Sequence, residues 1–309
     1  LMVSNPTEQF NEKEKYLLDQ HLMHGGKQWW AINAIALNRD SLFNSGGSTV
    51  AVGRSINMEN AFFKYGFRIQ KNLIKDLYCA PLVVASGTDR QTQYLPYLWP
   101  YYPLVKPKQK ELFGNRSGNV FLPFSSTIDT LKNSLDKTII ISSSDFTQTL
   151  QTPVRISLNE ASEELNPILF DRKQQPLGVL LEGKFSSAFS NRIPPVKLDE
   201  KKATGKTKFI VFSSGSIAEN QVQKGNPLEL GYDKWTNNFY YNKIFIQQSV
   251  HYLMDNQKLL KLQNKTIELP LLDFQKVENL SGFLKTILLL VPLIILLIIW
   301  GVVYRWRVL

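Results

Sequence analysis

Residues 1–32 read LMVSNPTEQFNEKEKYLLDQHLMHGGKQWWAI, and the fold class turns on them. Leu1–Val3 is a short apolar run stopped by Ser4-Asn5-Pro6, the way a buried strand enters a turn. Phe10, Leu17, Leu18, His21 and Leu22 then recur at helical spacing, with Asn11 as N-cap and Glu14 three residues on, as in a capping box. Gly25-Gly26 ends that helix, and Trp29-Trp30-Ala31-Ile32 reads as a second strand. Strand, helix and strand joined by short turns make a βαβ unit, so a parallel sheet and an α/β domain are expected.

The same grammar returns late in the chain. Phe209-Ile210-Val211-Phe212 reads as a strand, Ser213-Ser214-Gly215-Ser216 as the turn after it, and Asn242–Asn256 as an amphipathic helix. Ligand crevices of open α/β sheets lie at the carboxyl ends of the strands, which makes Ser214 and Ser216 candidate site residues by position, beside the plain reading of a loop of small residues. Between these ends the chain leans to β-structure. Val120–Leu122, Thr138–Ile141, Val154–Ile156 and Val179–Leu181 are strand candidates, Asn159–Leu165 a short helix, and lysine-rich Val196–Lys208 a solvated hairpin or linker.

Thr286–Tyr304, TILLLVPLIILLIIWGVVY, carries no charge and is almost wholly apolar. A helix of this length covers roughly 28 Å, close to a bilayer's hydrocarbon core. Lys285 closes one end and Arg305 and Arg307 the other, with Trp300, Tyr304 and Trp306 near the second boundary. Pro292 removes one backbone hydrogen bond inside the span, and Pro292 and Trp300 are the candidate contacts with a membrane partner. The two arginines of the tail place it in the cytoplasm by the positive-inside tendency, and the rest of the chain outside.

The chain has 309 residues and a formal net charge of +10 that is scattered rather than clustered, which suits anionic headgroups as well as nucleic acid; no nucleic-acid partner is assigned. Cys79 is the only cysteine, so neither an internal disulfide nor a multi-cysteine metal site can form. Gly205-Lys206-Thr207 mimics the end of a phosphate-binding loop, but Glu200 stands where that loop needs glycine and a strand follows instead of a helix. His21 and His24 have no third ligand beside them. No motif argues for catalysis, and no cofactor or metal is expected.

The most unusual soluble stretch is Tyr94-Leu95-Pro96-Tyr97-Leu98-Trp99-Pro100-Tyr101-Tyr102-Pro103. Its prolines forbid a regular helix, and a loop with five rings must dock them on its own core, on a partner, or against a planar ligand such as a sugar. Trp99, Tyr101 and Tyr102 are therefore candidate surface residues. Glu182, Lys184 and Arg192 join them as the charges of the stretch Pro176–Arg192, against the plain reading of ordinary surface ion pairs.

Taken together, Phe10–Lys27, Phe63-Lys64-Tyr65-Gly66, Asp76–Pro81, Trp99–Leu104, PLGVLLEGKFSSAFSNR (Pro176–Arg192), Gly215–Asn220 and Lys258–Asp273 resemble the auxiliary subunits of bacterial ABC transporters of the gliding-motility type, found in Bacteroidota. The resemblance implies a glutamine-amidotransferase-like (flavodoxin-like) parallel-sheet domain without catalytic machinery, followed by the C-terminal transmembrane helix. It also implies a permease subunit and a separate cytoplasmic ATPase as partners, with envelope or motility-machinery proteins beyond them. Family members often end the second strand in Ile-Asp; here Asn33 follows Ile32, so that carboxylate is missing.

The expected organisation is an extracytoplasmic α/β domain over 1–263 lacking its N-terminal part, a juxtamembrane linker over 264–285, the span over 286–304 and a cytoplasmic tail over 305–309. The expected setting is the bacterial inner membrane, with the bulk of the chain in the periplasm. The expected role is a non-catalytic accessory subunit for gliding motility and linked protein secretion. The alternatives are a membrane-tethered envelope hydrolase or amidotransferase using Cys79 or Glu182, and a glycan-binding module using Trp99, Tyr101 and Tyr102.

Overall fold

The structure, a computed structural model, describes residues 1–37, 42–43, 45–86, 92–108, 118–254 and 281–308. The stretch Lys258–Asp273 and the expected linker up to residue 280 lie outside the described residues. The chain divides into two compact units, Leu1–Lys265 and Thr266–Leu309.

The first unit opens with the βαβ element. Strand β1 (Met2–Ser4) leads through Asn5 into helix α1 (Glu12–Met23), and β2 (Gln28–Ala31) returns parallel to β1, Ser4 facing Ala31. The capping box forms as read: the Asn11 side chain accepts from the Glu14 N–H at 3.0 Å, and Glu14 accepts from the Asn11 N–H at 2.9 Å. Two of the helix's otherwise unpaired donors are thereby satisfied.

Helix α2 (Glu59–Tyr65) comes next, then a hairpin of β3 (Cys79–Ser86) and β4 (Gln93–Val105), the short β5 (Val120–Phe121), and β6 (Asp136–Ser142), β7 (Pro176–Ser186) and β8 (Thr204–Phe212). The main sheet has the order β1-β2-β8-β7-β6. Only β1, β2 and β8 are parallel, while β7 runs antiparallel to both β8 and β6. The remaining described strands form six separate sheets of two or three strands.

The expected glutamine-amidotransferase-like, flavodoxin-like parallel sheet is therefore overturned: the domain is mixed and strand-dominated. Each parallel neighbour needs a crossover long enough to carry a helix. Between β2 and β8 the longest described α-helix is the seven-residue α2, and the chain returns to the sheet by antiparallel pairing instead. One local expectation also changes, since Leu158–Ala161 is a single 3-10 turn; the lysine-rich stretch enters β8 at Thr204, which pairs antiparallel with β7 as the second arm of a hairpin.

Strand β2 and the second half of β8 are buried on both faces, and their alternation sorts side chains into two cores. Trp30, Val211 and Phe209 pack with Leu22 and Met23 of α1 and Phe62 and Tyr65 of α2. Trp29, Ile210 and Phe212 pack on the other face with Phe245 and Leu253 of helix α3 (Asn242–Leu253). Both indoles find partners: Trp29 Nε1 donates to Ser249 Oγ at 2.9 Å and Trp30 Nε1 to Gln28 Oε1 at 2.9 Å. Full burial of Phe245 alone contributes about 2 kcal/mol. Gly205 lets α1 approach this closely, because a Cβ there would collide with the Met23 carbonyl.

The aromatic run is a strand rather than a loop. Its prolines are tolerated because β4 pairs irregularly with β3: the register shifts between Cys79–Pro103 and Pro81–Leu98, so Pro100 falls in the irregularity. Trp99, Tyr101 and Tyr102 are buried in a third core with Phe124 and Ile156. The Trp99 ring lies edge-on to Tyr102 at 4.8 Å and to Phe124 at 5.8 Å.

The second unit contains helix α4 (Ser281–Val308), which is longer than the apolar run itself. Its segment Lys285–Arg307 is long and apolar enough to cross a bilayer, and none of it is buried. Trp300 stacks on Tyr304 at 5.5 Å.

Asp19 ties α1 to its surroundings. It is fully buried and accepts from Tyr65 Oη (2.9 Å), Ser187 Oγ (2.6 Å) and the Ala188 N–H (2.8 Å). Burial, then the Asp19 charge, pushes the Tyr65 phenol well above its ordinary value, so Tyr65 remains a donor. Asp19→Ala strands three donors and is expected to cost about 3 kcal/mol or more, against about 1 kcal/mol for Tyr65→Phe. Urea unfolding of the full chain in detergent measures both, and equal losses would show that the carboxylate is not the hub.

Candidate functional site

Because β1, β2 and β8 are parallel, their carboxyl ends lie along one edge, with Ser4 facing Ala31 and Ala31 facing Phe212. The residues that follow are stitched together there. Asn5 N–H donates to Ala31 O at 2.8 Å, Ile32 N–H to Phe212 O at 3.0 Å, and Gly215 N–H to Asn33 Oδ1 at 2.7 Å. Asn5 adopts a left-handed backbone (φ 43°) and its amide donates to the Glu219 carboxylate. Gly215 must be glycine, since a Cβ there would run into the Asn5 side chain.

A cavity of about 990 Å³ is lined by this edge, at the upper end of the range for small-molecule sites. Asn5, Asn33, Ser216 and Glu219 are its polar side. Tyr102, Phe121, Phe124 and Tyr240 also line it, together with the well-exposed rings of Phe43, Tyr94 and Trp235. Arg54 enters from a neighbouring strand end, its backbone N–H donating to Ala34 O at 2.7 Å.

Trp235 sits between the short strands Tyr232–Asp233 and Asn238–Phe239, in a turn braced by Asp233. Asp233 accepts from Gln221 Nε2 at 2.8 Å and from Thr236 Oγ1 at 2.6 Å, while Lys234 Nζ donates to Val222 O at 2.8 Å.

The sequence-based candidates divide around this cavity. Ser216 and Tyr102 line it. Ser214 is fully buried and donates to Pro123 O at 2.8 Å. Trp99 and Tyr101 lie in the third core. Burial, followed by the Glu160 charge, raises the Tyr101 phenol far above its ordinary value, and its hydroxyl donates to Glu160 at 2.9 Å.

Glu182, Lys184 and Arg192 do not line the cavity. Glu182 forms an ion pair with Lys208 at 3.2 Å and accepts from the Tyr252 hydroxyl at 3.0 Å, joining β7, β8 and α3. Burial and then the Glu182 charge raise the Tyr252 phenol. Lys184 is exposed opposite Lys206, and the Arg192 guanidinium lies 5.8 Å from the Phe189 ring centre. Pro292 and Trp300 are exposed along α4.

Sequence reasoning missed Asn5, Arg54, Glu219 and Trp235. Asn5 and Asn33 had a signal, since each directly follows an expected strand whose carboxyl end should border a crevice. Arg54 and Trp235 had none, because they reach the cavity from separate short sheets.

The chain matches no curated protein. It is similar to the solved "mmIFT52 N-terminal domain" at 11% identity with a TM-score of 0.40, over 82% of this chain and 75% of that one. The family model for an "ABC-type uncharacterized transport system", an ABC transport auxiliary family, matches residues 1–249. A match over this much of the sequence, covering the whole sheet and its cavity, places the protein in that ABC-type transport auxiliary family.

Proposed function

We propose that this protein is a non-catalytic, membrane-anchored accessory subunit of an ABC-type complex serving gliding motility and the protein secretion linked to it. The observation that carries this reading is the pairing of a family-matched domain with one exposed apolar helix, α4. The helix packs beside a permease subunit, a separate cytoplasmic ATPase hydrolyses ATP, and the domain stands in the periplasm of the bacterial inner membrane. Arg305 and Arg307 at the end of α4 support that orientation. Coupling then requires the domain or α4 to bind the transporter's states unequally.

The proline inside α4 is the natural place for helix contact, since Pro292 leaves the carbonyl one turn earlier without its intrahelical donor. The chemistry of Cys79 supports a non-catalytic reading. Its thiol is buried in the β3–β4 hairpin and pushed up to about 12, by burial first and by the Asp76 charge second, so the thiolate is scarce at neutral pH. Glu182, the other nucleophile or base considered, is already held by Lys208 and Tyr252.

Mild-detergent purification of the tagged chain is expected to recover both the permease and the ATPase; recovery of the chain alone would sink the subunit reading. Pro292→Leu should lower permease recovery several-fold while the domain's melting temperature stays unchanged, and unchanged recovery would reduce α4 to a plain tether. Iodoacetamide at pH 8 should label Cys79 only after unfolding in urea. Rapid labelling of the folded protein would reopen the thiol-enzyme alternative.

A further inference from the structure

Arg54 lines the cavity at the carboxyl edge without an ion-pair partner among the described residues. Arg54 is partly buried, yet its guanidinium makes no hydrogen bond or ion pair among the described residues, and its Nη1 is fully covered without a partner. A guanidinium nitrogen cut off from water without an acceptor is costly, and the rest of the half-buried Arg54 side chain is left to meet a ligand at the cavity. The other charged groups lining the cavity, Glu219, Asp233 and Lys234, keep their charges but form no ion pair with Arg54 among the described residues. Glu219 accepts from Asn5, Asp233 from Gln221 and Thr236, and Lys234 donates to a carbonyl. Glu59, which lines a smaller pocket with Arg54, accepts from Ser55 at 2.6 Å and forms no ion pair with the guanidinium.

Two more donors accompany Arg54. Asn33 uses Oδ1 for the Gly215 N–H, which leaves its Nδ2 amide without a partner among the described residues, and Ser216 Oγ is likewise unbonded. The Arg54–Ala34 and Asn33–Gly215 hydrogen bonds bring these three residues to the same edge. A guanidinium fork, an amide and a hydroxyl together suit an oxyanion, carboxylate or phosphate. The rest of the cavity does not suit a bare ion. It is about 990 Å³, and two exposed rings, Tyr94 at 66% and Trp235 at 55%, line it; the Lys234 ammonium lies 5.4 Å from the Trp235 ring centre, which leaves that ring one face of the kind that stacks on a sugar.

We propose that this cavity binds an acidic saccharide, its carboxylate or phosphate held by Arg54, Asn33 and Ser216 and its ring faces set against Tyr94 and Trp235. Unlike the buried Trp99 and Tyr101, Tyr94 and Trp235 are open to solvent. Binding of this kind needs neither the permease nor the gliding machinery, so its failure and that of the subunit reading are separately visible.

Calorimetric titration of the full chain in a non-glycosidic detergent tests it with four probes: glucuronic acid, glucose 6-phosphate, glucose and inorganic phosphate. Both acidic sugars are expected to bind at least ~10-fold tighter than glucose, the scale of one charge-assisted contact. Arg54→Gln should erase that preference. Trp235→Ala should weaken the acidic sugars several-fold and leave inorganic phosphate unchanged. Should Arg54→Gln fail to fold, Asn33→Asp retains the acceptor for Gly215, adds a carboxylate at the same edge, and should weaken both acidic sugars.

Four results would overturn the assignment: no heat with any probe, glucose binding as tightly as glucuronic acid, acidic-sugar binding that survives the Arg54 and Asn33 variants, or inorganic phosphate binding as tightly as glucose 6-phosphate. The last would leave a simple anion site.

Discussion

The domain depends on the two-sided burial of Gln28–Ala31. This strand is covered above and below and hydrogen-bonded on both edges, to Met2–Ser4 on one side and Thr204–Phe212 on the other. Its alternation sends Trp30 to the α1 face and Trp29 to the α3 face, so one short segment seeds both cores. Its direction matters as much as its burial. Running parallel to both neighbours, it brings three strand ends to one edge, and the cavity follows from that alignment.

The cavity wall and the helix anchor belong to different physical regimes. In the wall, polar groups are paired at close range, as Asn33 is to Gly215, and exposed rings occur beside buried ones. In α4 the helix satisfies its own backbone except one turn before Pro292, and the apolar side chains face outward, the arrangement that only a lipid or protein surround makes favourable. The family match covers the domain and stops before α4, so the helix shares the chain with a transport auxiliary domain but not the matched region.

Much of the local structure was legible in the residues. The Asn11–Glu14 box, the Trp29–Ile32 strand and the Phe209–Phe212 strand depend on nearest neighbours and period-two patterning, which sequence carries directly. Strand direction was not legible. Val179–Leu181 reads as a buried strand whichever way it runs, and its antiparallel pairing with Phe209–Val211 is a tertiary choice. The same limit explains the aromatic run: its prolines argue against a strand until the register shift opposite Cys79–Pro81 is known. Ser216 was reachable by the strand-end rule, whereas Arg54 arrives at the same cavity only through a backbone bond to Ala34.

The sheet order also fixes a sequence of events in time. Gln28–Ala31 can pair with Met2–Ser4 as soon as the first turn of the chain is made, but its other edge must wait for Thr204–Phe212. During synthesis that edge, with two tryptophans on the strand, stays unpaired while all the intervening residues are added. Closing so distant a pair is slow, because the loop entropy is spent before the contacts form. The strand that organises the finished domain is therefore also the segment most in need of protection from wrong partners before the domain is complete.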